Sequence, residues 1–415
     1  MTRHPGRRAR YPFPDGPGTT LALPGVSQSA RKRLSGETSS SLASCASPSR
    51  LEALLFGGCA RFDRFVFDYF IRRLPEPPSA GLGERLARAR RFYADSRFIT
   101  EPESFFRSPK APRAEVTWRL PLPRGELDLV TYETDFVPVF PEARGEPHDA
   151  GNRRGVMLWW RHHEPGHPVM LCVHGYGGGN LWVESLAFDA ARFYWAGVDV
   201  AIYVMPYHGA RASGRSGAAF FDLDLVRTNE AFARGIYEIR ALVRHLRDEG
   251  TGPVGAFGMS LGAYTVALLA SIERRLAFAV AMIPIVSFAD RWWGEGDRDP
   301  WVAMAIEHGW TLEAVRDVLR VHEPLSRRAL VPRSRRLVIG ARGDAICTPA
   351  QAEALWRHWE RPRIHWYPGG HLLQLRRGVA LREVQSLIAD AGLLGERPVE
   401  PMAPAGNGHR AAVAG

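Results

Sequence analysis

A chain of 415 residues with 45% hydrophobic and 10% aromatic residues carries ample material for a sizeable core, which excludes a wholly disordered protein. The net charge of +10 invites a nucleic-acid reading, but +6 of it falls in the first 50 residues, Lys32 and Lys110 are the only lysines, and no nucleic-acid-reading module accompanies the arginines. Cys45, Cys59, Cys172 and Cys347 form no C-x-x-C pair and read as free thiols; with no signal-peptide pattern, and no apolar run near the roughly 20 residues a membrane helix needs, a cytoplasmic protein is expected.

Residues 1–50 are rich in Arg, Ser, Gly and Pro without periodicity, which predicts a disordered tail, and 396–415 read the same way. Residues 51–112 are expected to form an N-terminal helical extension. Leu54, Leu55, Phe65, Phe67, Phe70 and Ile71 recur among Arg61, Asp63, Arg64 and Asp68, predicting an amphipathic helix over 51–74, and a second helix covers 82–98. Such helices more often lie over a globular domain than on a membrane surface.

The main domain is expected over 113–395. VTWRLPLP at 116–123, LDLVTYETDF at 127–136 and VMLWWRHH at 156–163 read as antiparallel strands. The first wholly apolar strand, 168–173, runs into His174, Gly175, Tyr176, Gly177, Gly178 and Gly179. Strand and helix patterns then alternate: helix 184–195, strand 198–204, helix 230–247, strand 254–257, helix 263–270 and strand 278–283, then strand 337–340, helix 349–359, strand 364–367 and helix 379–391. This predicts an α/β fold whose mostly parallel sheet has helices on both faces, with ligands at the strands' carboxyl ends. The stretch 284–328, with Trp292, Trp293, Trp301 and Trp310, is too long for a connection and predicts a cap over that edge, in which Trp292 and Trp293 are candidate substrate contacts.

Gly258, Met259, Ser260, Leu261 and Gly262 spell G-x-S-x-G between an apolar strand and a small-residue helix. The sharp turn needs flanking positions without bulk, and it lifts the serine hydroxyl to the strand's carboxyl end while the Leu261 amide opens the helix toward the same spot. A serine nucleophile needs a base and a carboxylate to orient that base. Asp344 follows the strand LVIG in the loop ARGDAICTP, and His371 follows IHWYP in the loop GGHLL, so all three arrive at one sheet edge in the order Ser, Asp, His. Asp290, seven residues past strand 278–283, is the rival acid; its longer reach and its neighbours Arg291 and Arg298 suit it to an ordinary ion pair.

On HGYGGG, GMSLG, GGH and the run from Gly340 through Asp344 to Pro349, the chain resembles the α/β-hydrolase superfamily over about residues 115–395. It looks most like the dienelactone-hydrolase-like and esterase branches, including largely uncharacterised members with a similar Pro206-Tyr207-His208-Gly209 loop. The last run departs from the usual G-x-x-D-x-x-x-P by one residue on each side of the acid. Dienelactone hydrolases use cysteine where this chain has Ser260, so their particular substrate does not carry over. The resemblance makes the Tyr176 amide the second oxyanion donor beside that of Leu261. It implies a serine hydrolase acting on a carboxylic ester or thioester, with a small-molecule acyl substrate and neither metal nor organic cofactor. The alternatives are a prolyl-oligopeptidase-type peptidase, for which the N-terminal region is too short to hold a propeller, and a binding protein on a hydrolase scaffold.

Three further strings carry less. HEPGH at 163–167 matches a zinc-protease motif, but Pro165 and Gly166 forbid the helix that motif needs. GYGGGN lacks the spacing and the following acid of a dinucleotide loop. His208 and Arg211, in PYHGAR, lie at a strand's carboxyl end and either touch substrate or hold the loop's own backbone.

Overall fold

The computed structural model describes residues 49–68, 81–144, 152–294 and 300–394. Apart from Ser49 and Arg50, the two expected tails lie outside them. Helix α1 (Arg50–Val66) opens on a capping box, in which the Ser49 side chain takes the Glu52 amide and Glu52 answers to Ser49. The rest of the expected 51–74 helix falls largely outside the described residues. The helix expected over 82–98 divides into α2 (Leu82–Tyr93) and the single turn α3 (Arg97–Thr100), because the Asp95 side chain takes the Arg97 amide at 2.9 Å and turns the chain between them.

Three antiparallel strands follow, β1 (Ala114–Leu122), β2 (Gly125–Glu133) and β3 (Arg154–His162). Then come β4 (Val169–Val173), α4 (Leu181–Ala187), α5 (Ala190–Trp195) and β5 (Asp199–Tyr203). The single helix expected over 184–195 breaks at Asp189, whose φ of 51° is left-handed. The chain continues through α6 (Leu225–Asp248), β6 (Val254–Met259), α7 (Leu261–Leu269) and β7 (Ala279–Met282). Helix α6 begins five residues earlier than expected, where Asp224 caps it by accepting the Val226 amide. Helices α8 (Phe288–Trp293), α9 (Pro300–Glu307) and α10 (Leu312–Leu319) fill the 284–328 stretch, and β8 (Arg336–Ala341), α11 (Pro349–His358), β9 (Arg363–Tyr367) and α12 (Arg377–Asp390) complete the chain.

The strands make one nine-stranded sheet in the order β1-β2-β3-β5-β4-β6-β7-β8-β9. The pairings from β1 to β5 are antiparallel and the remaining five are parallel. Every residue of β4, β5, β6, β7 and β8 is buried, as strands covered on both faces must be, and this is why they read as unbroken apolar runs. One face packs on Phe188 and Phe193, flanking and within α5, and on Val384, Leu387 and Ile388 of α12. The other packs on α6, α7 and α11, and there Leu86, Tyr93, Phe98, Phe105 and Phe106 of the N-terminal region share one core with Ile236, Leu242 and Val266. Arg240 of α6, itself buried, ties that region down through Glu103 and the Phe106 carbonyl while pairing with Glu273.

Candidate active site

Ser260 sits between β6 and α7 with φ 55° and ψ −115°, a backbone conformation costly for a residue with a side chain. The two motif glycines explain how the turn closes. A methyl on Gly258 would stand 2.0 Å from the Gly262 carbonyl oxygen, and one on Gly262 would stand 1.9 Å from that of Val173 in β4. Helix α7 therefore rests directly on strand backbone, and its first residue, Leu261, has an amide without an intrahelical acceptor. The strain is held by the Ser260 amide donating to the Met282 carbonyl at 3.0 Å and by Tyr264 donating to the Ser260 carbonyl at 3.0 Å.

The loop after β4 runs past the serine, since a methyl on Gly175 would meet the Ser260 Cβ at 3.5 Å. His174, fully buried, shapes its start: Nε2 accepts the Met205 amide at 3.1 Å and Nδ1 donates to the Gly175 carbonyl at 2.8 Å. Burial lowers its pKa, consistent with that neutral tautomer. Farther on, Glu184 accepts the Gly179 amide at 2.9 Å, and Ser216 bridges the loop to its neighbour by accepting the Gly209 amide and donating to the Gly178 carbonyl. Tyr176 thus lies in a loop fixed from both ends, and its half-buried ring stands 5.5 Å from that of Phe221.

Asp344 and His371 meet beyond the ends of β8 and β9. His371 Nδ1 lies 2.8 Å from Asp344 Oδ2, and Asp344 Oδ1 accepts the amides of Ile346 at 2.8 Å and Cys347 at 2.7 Å. The Asp344 side chain is wholly buried and that of His371 nearly so. Burial disfavours the imidazolium of His371, but the Asp344 charge and then Cys347 outweigh it and hold the pKa well above the ordinary value. Cys347 stands beside both halves of the site: its Sγ lies 3.8 Å from Ser260 Oγ, and it contributes to the raised pKa of His371. The sequence reading treats Cys347 as one more free thiol. Its signal lies in the register, three residues past Asp344 in the turn that Asp344 itself caps.

Other candidates fall elsewhere. Asp290 is half-exposed and takes Arg316 Nε at 2.9 Å; of the expected partners, Arg291 donates to the Ile346 carbonyl at 3.0 Å and Arg298 lies outside the described residues. Its partner is Arg316 because α10 packs beside α8. Arg211 is corrected from a substrate contact to a buried structural one. Its guanidinium grips both oxygens of Glu238, at 2.6 and 2.8 Å, and reaches the carbonyls of Val204 and Asn152. His208 is likewise buried, with Nδ1 2.8 Å from the Pro206 carbonyl and its pKa pushed down to about 3 by burial, so it serves the loop. Trp292 and Trp293 are half-buried at the end of α8, with Trp292 5.5 Å from Phe221, whose ring in turn packs on Tyr176. The HEPGH string forms the turn between β3 and β4, where His167 bonds the Gly197 carbonyl.

A mostly parallel sheet in this strand order, with a glycine-flanked serine in a left-handed turn after β6 and an Asp–His pair after β8 and β9, is the α/β-hydrolase fold. The uncharacterized protein Rv2627c of Mycobacterium tuberculosis is 30% identical over 327 residues, covering 75% of this chain and 76% of the relative, so the two are members of one family. MT2702 from another strain of that species matches over the same length with the same identity. Among solved structures, acetyl xylan esterase 1 from Thermoanaerobacterium sp. JW/SL YS485 superposes with a TM-score of 0.51 over 78% of this chain and 96% of its own, at 17% identity, a likeness of fold. No family model matches the chain. Among the described residues no helix is long and apolar enough to cross a membrane.

Proposed function

We propose that the chain is a serine hydrolase that cleaves a carboxylic ester or thioester through an acyl-enzyme on Ser260. The observation that carries this reading is the buried His371–Asp344 contact of 2.8 Å, on the sheet edge that also presents Ser260 in its strained turn. His371 takes the Ser260 proton as the hydroxyl attacks the carbonyl, and Asp344 holds the imidazole in the tautomer that receives it. The amides of Leu261 and Tyr176 receive the oxyanion. The imidazolium then protonates the leaving group, and water attacks the acyl-serine with His371 again as base. An ester hydrolase with a similar fold favours ester over peptide chemistry.

In this reading residues 51–112 are an extension docked on the hydrolase domain 113–395, and 284–328 are its cap, with Trp292 and Trp293 facing the acyl or alcohol group. The esterase branch fits a serine, rather than a cysteine, in the elbow. Cys59, Cys172 and Cys347, free and buried, suit a reducing cytoplasm. The reading is tested by turnover of p-nitrophenyl esters of rising chain length: activity that Ser260→Ala abolishes supports it, and activity surviving in that variant overturns it.

A further inference from the structure

The mechanism leaves unused a carboxylate that touches both catalytic loops. Helix α1 presents Phe56, Cys59 and Asp63, spaced three and four residues apart on one face, to the loops after β8 and β9. Contact is close enough to require glycine in both loops. A methyl on Gly343 would stand 2.9 Å from the Phe56 Cα, and one on Gly370 would stand 2.5 Å from Asp63 Oδ2. Asp63 is fully buried. Its Oδ2 accepts the His371 amide at 2.6 Å and faces the Ala345 amide at 3.5 Å, while Oδ1 accepts the Leu372 amide at 3.0 Å.

A carboxylate taken out of water is costly unless donors replace its hydration. The donors described for Asp63 are backbone amides of the residue after Asp344, of His371 itself and of the residue after it. One rigid group therefore bridges, from outside, two loops that also meet where the Gly343 amide donates to the Gly369 carbonyl at 2.8 Å and where Asp344 reaches His371. We propose that Asp63 is a positioning residue for the Asp344–His371 pair, so that the N-terminal helix is part of the catalytic apparatus although it contributes no reacting atom. The inference rests on the reading of Ser260, Asp344 and His371 given above. Geometry of this kind matters steeply, since a misplacement of about 1 Å in a catalytic group can cost about 100-fold in rate.

The test uses the full chain and Asp63→Asn, which keeps shape but turns a donor toward the loop amides. The expected result is a fall of about 100-fold in kcat on p-nitrophenyl acetate and in the rate of labelling by a fluorophosphonate, with KM nearly unchanged. The downfield Nδ1 proton of His371 is expected to shift or broaden, a change that a merely structural helix contact would not produce. In the wild-type chain the amides of His371 and Leu372 are expected to exchange with deuterium as slowly as those of β8, and this measurement decides alone if Asp63→Asn does not fold. Wild-type kcat and an unchanged resonance in the folded variant, or rapid exchange of the two amides in the wild type, would overturn the inference. Labelling that persists in Ser260→Ala would instead remove the hydrolase reading, leaving the exchange result to stand for the loop contact itself.

Discussion

Asp344 divides its carboxylate between two tasks: Oδ2 holds His371 Nδ1 at 2.8 Å, while Oδ1 is locked by the amides of Ile346 and Cys347. The side chain therefore cannot swing away from the imidazole without giving up two bonds to its own turn. Among the described residues the Asp290 carboxylate is held by its ion pair with half-exposed Arg316 alone.

From this contrast Asp344→Asn is expected to lower kcat by about four orders of magnitude, the usual cost of losing an orienting carboxylate, with a small change in folding. Asp290→Asn removes one surface ion pair worth about 0–1 kcal/mol and is expected to change kcat less than about tenfold. Steady-state kinetics on the two variants check this, and the reverse ranking would move the acid to Asp290.

The pH dependence follows from the same pair. In the proposed mechanism His371 acts as base in its neutral form, and its pKa is raised well above the ordinary value despite burial, chiefly by Asp344. The rise of kcat/KM with pH is therefore expected to have its midpoint above about 6.5, and to move to lower pH in Asp344→Asn. The stability sign is the opposite: the imidazolium–carboxylate attraction is fully present below the unfolded imidazole value and is lost as pH rises through the folded one. A kcat/KM midpoint at or below the ordinary value would contradict this.

Arg211 supplies a test of structure against substrate binding. Replacing it with Ala leaves Glu238 as a buried charge without its partner, which costs about 3–5 kcal/mol. A large fall in melting temperature is expected, with KM of the remaining folded enzyme unchanged. A normal melting temperature with a raised KM would return Arg211 to the substrate site.

What was legible in the sequence follows from how local each signal is. Strands β4 to β8 are buried on both faces, so their composition alone announces them, and of the elbow glycines Gly258 is demanded by Gly262 one turn away while Gly262 is demanded by Val173 in β4. Ser260 and Asp344 lie just after such strands and His371 just after the partly exposed β9, so the strand pattern alone brings all three to one sheet edge. Asp63 could not be placed this way. Its partners lie 282 to 309 residues away, and in the sequence it is one acid among several on an amphipathic helix. Arg211 and His208 were equally ambiguous, since a polar residue at a strand's carboxyl end looks the same whether it faces a ligand or a buried Glu238. The helix breaks at Asp95 and Asp189 are not legible because a single side-chain bond or left-handed residue overrides an otherwise continuous helical pattern.

The central claim is that Ser260 forms the covalent intermediate, although the Cys347 thiol lies 3.8 Å from its hydroxyl. Mapping the adduct of a fluorophosphonate by peptide mass spectrometry, in the wild type, Ser260→Ala and Cys347→Ala, separates the two. The account predicts an adduct on Ser260, none in Ser260→Ala, and labelling retained in Cys347→Ala. An adduct on Cys347, or labelling that survives loss of the serine hydroxyl, would contradict it.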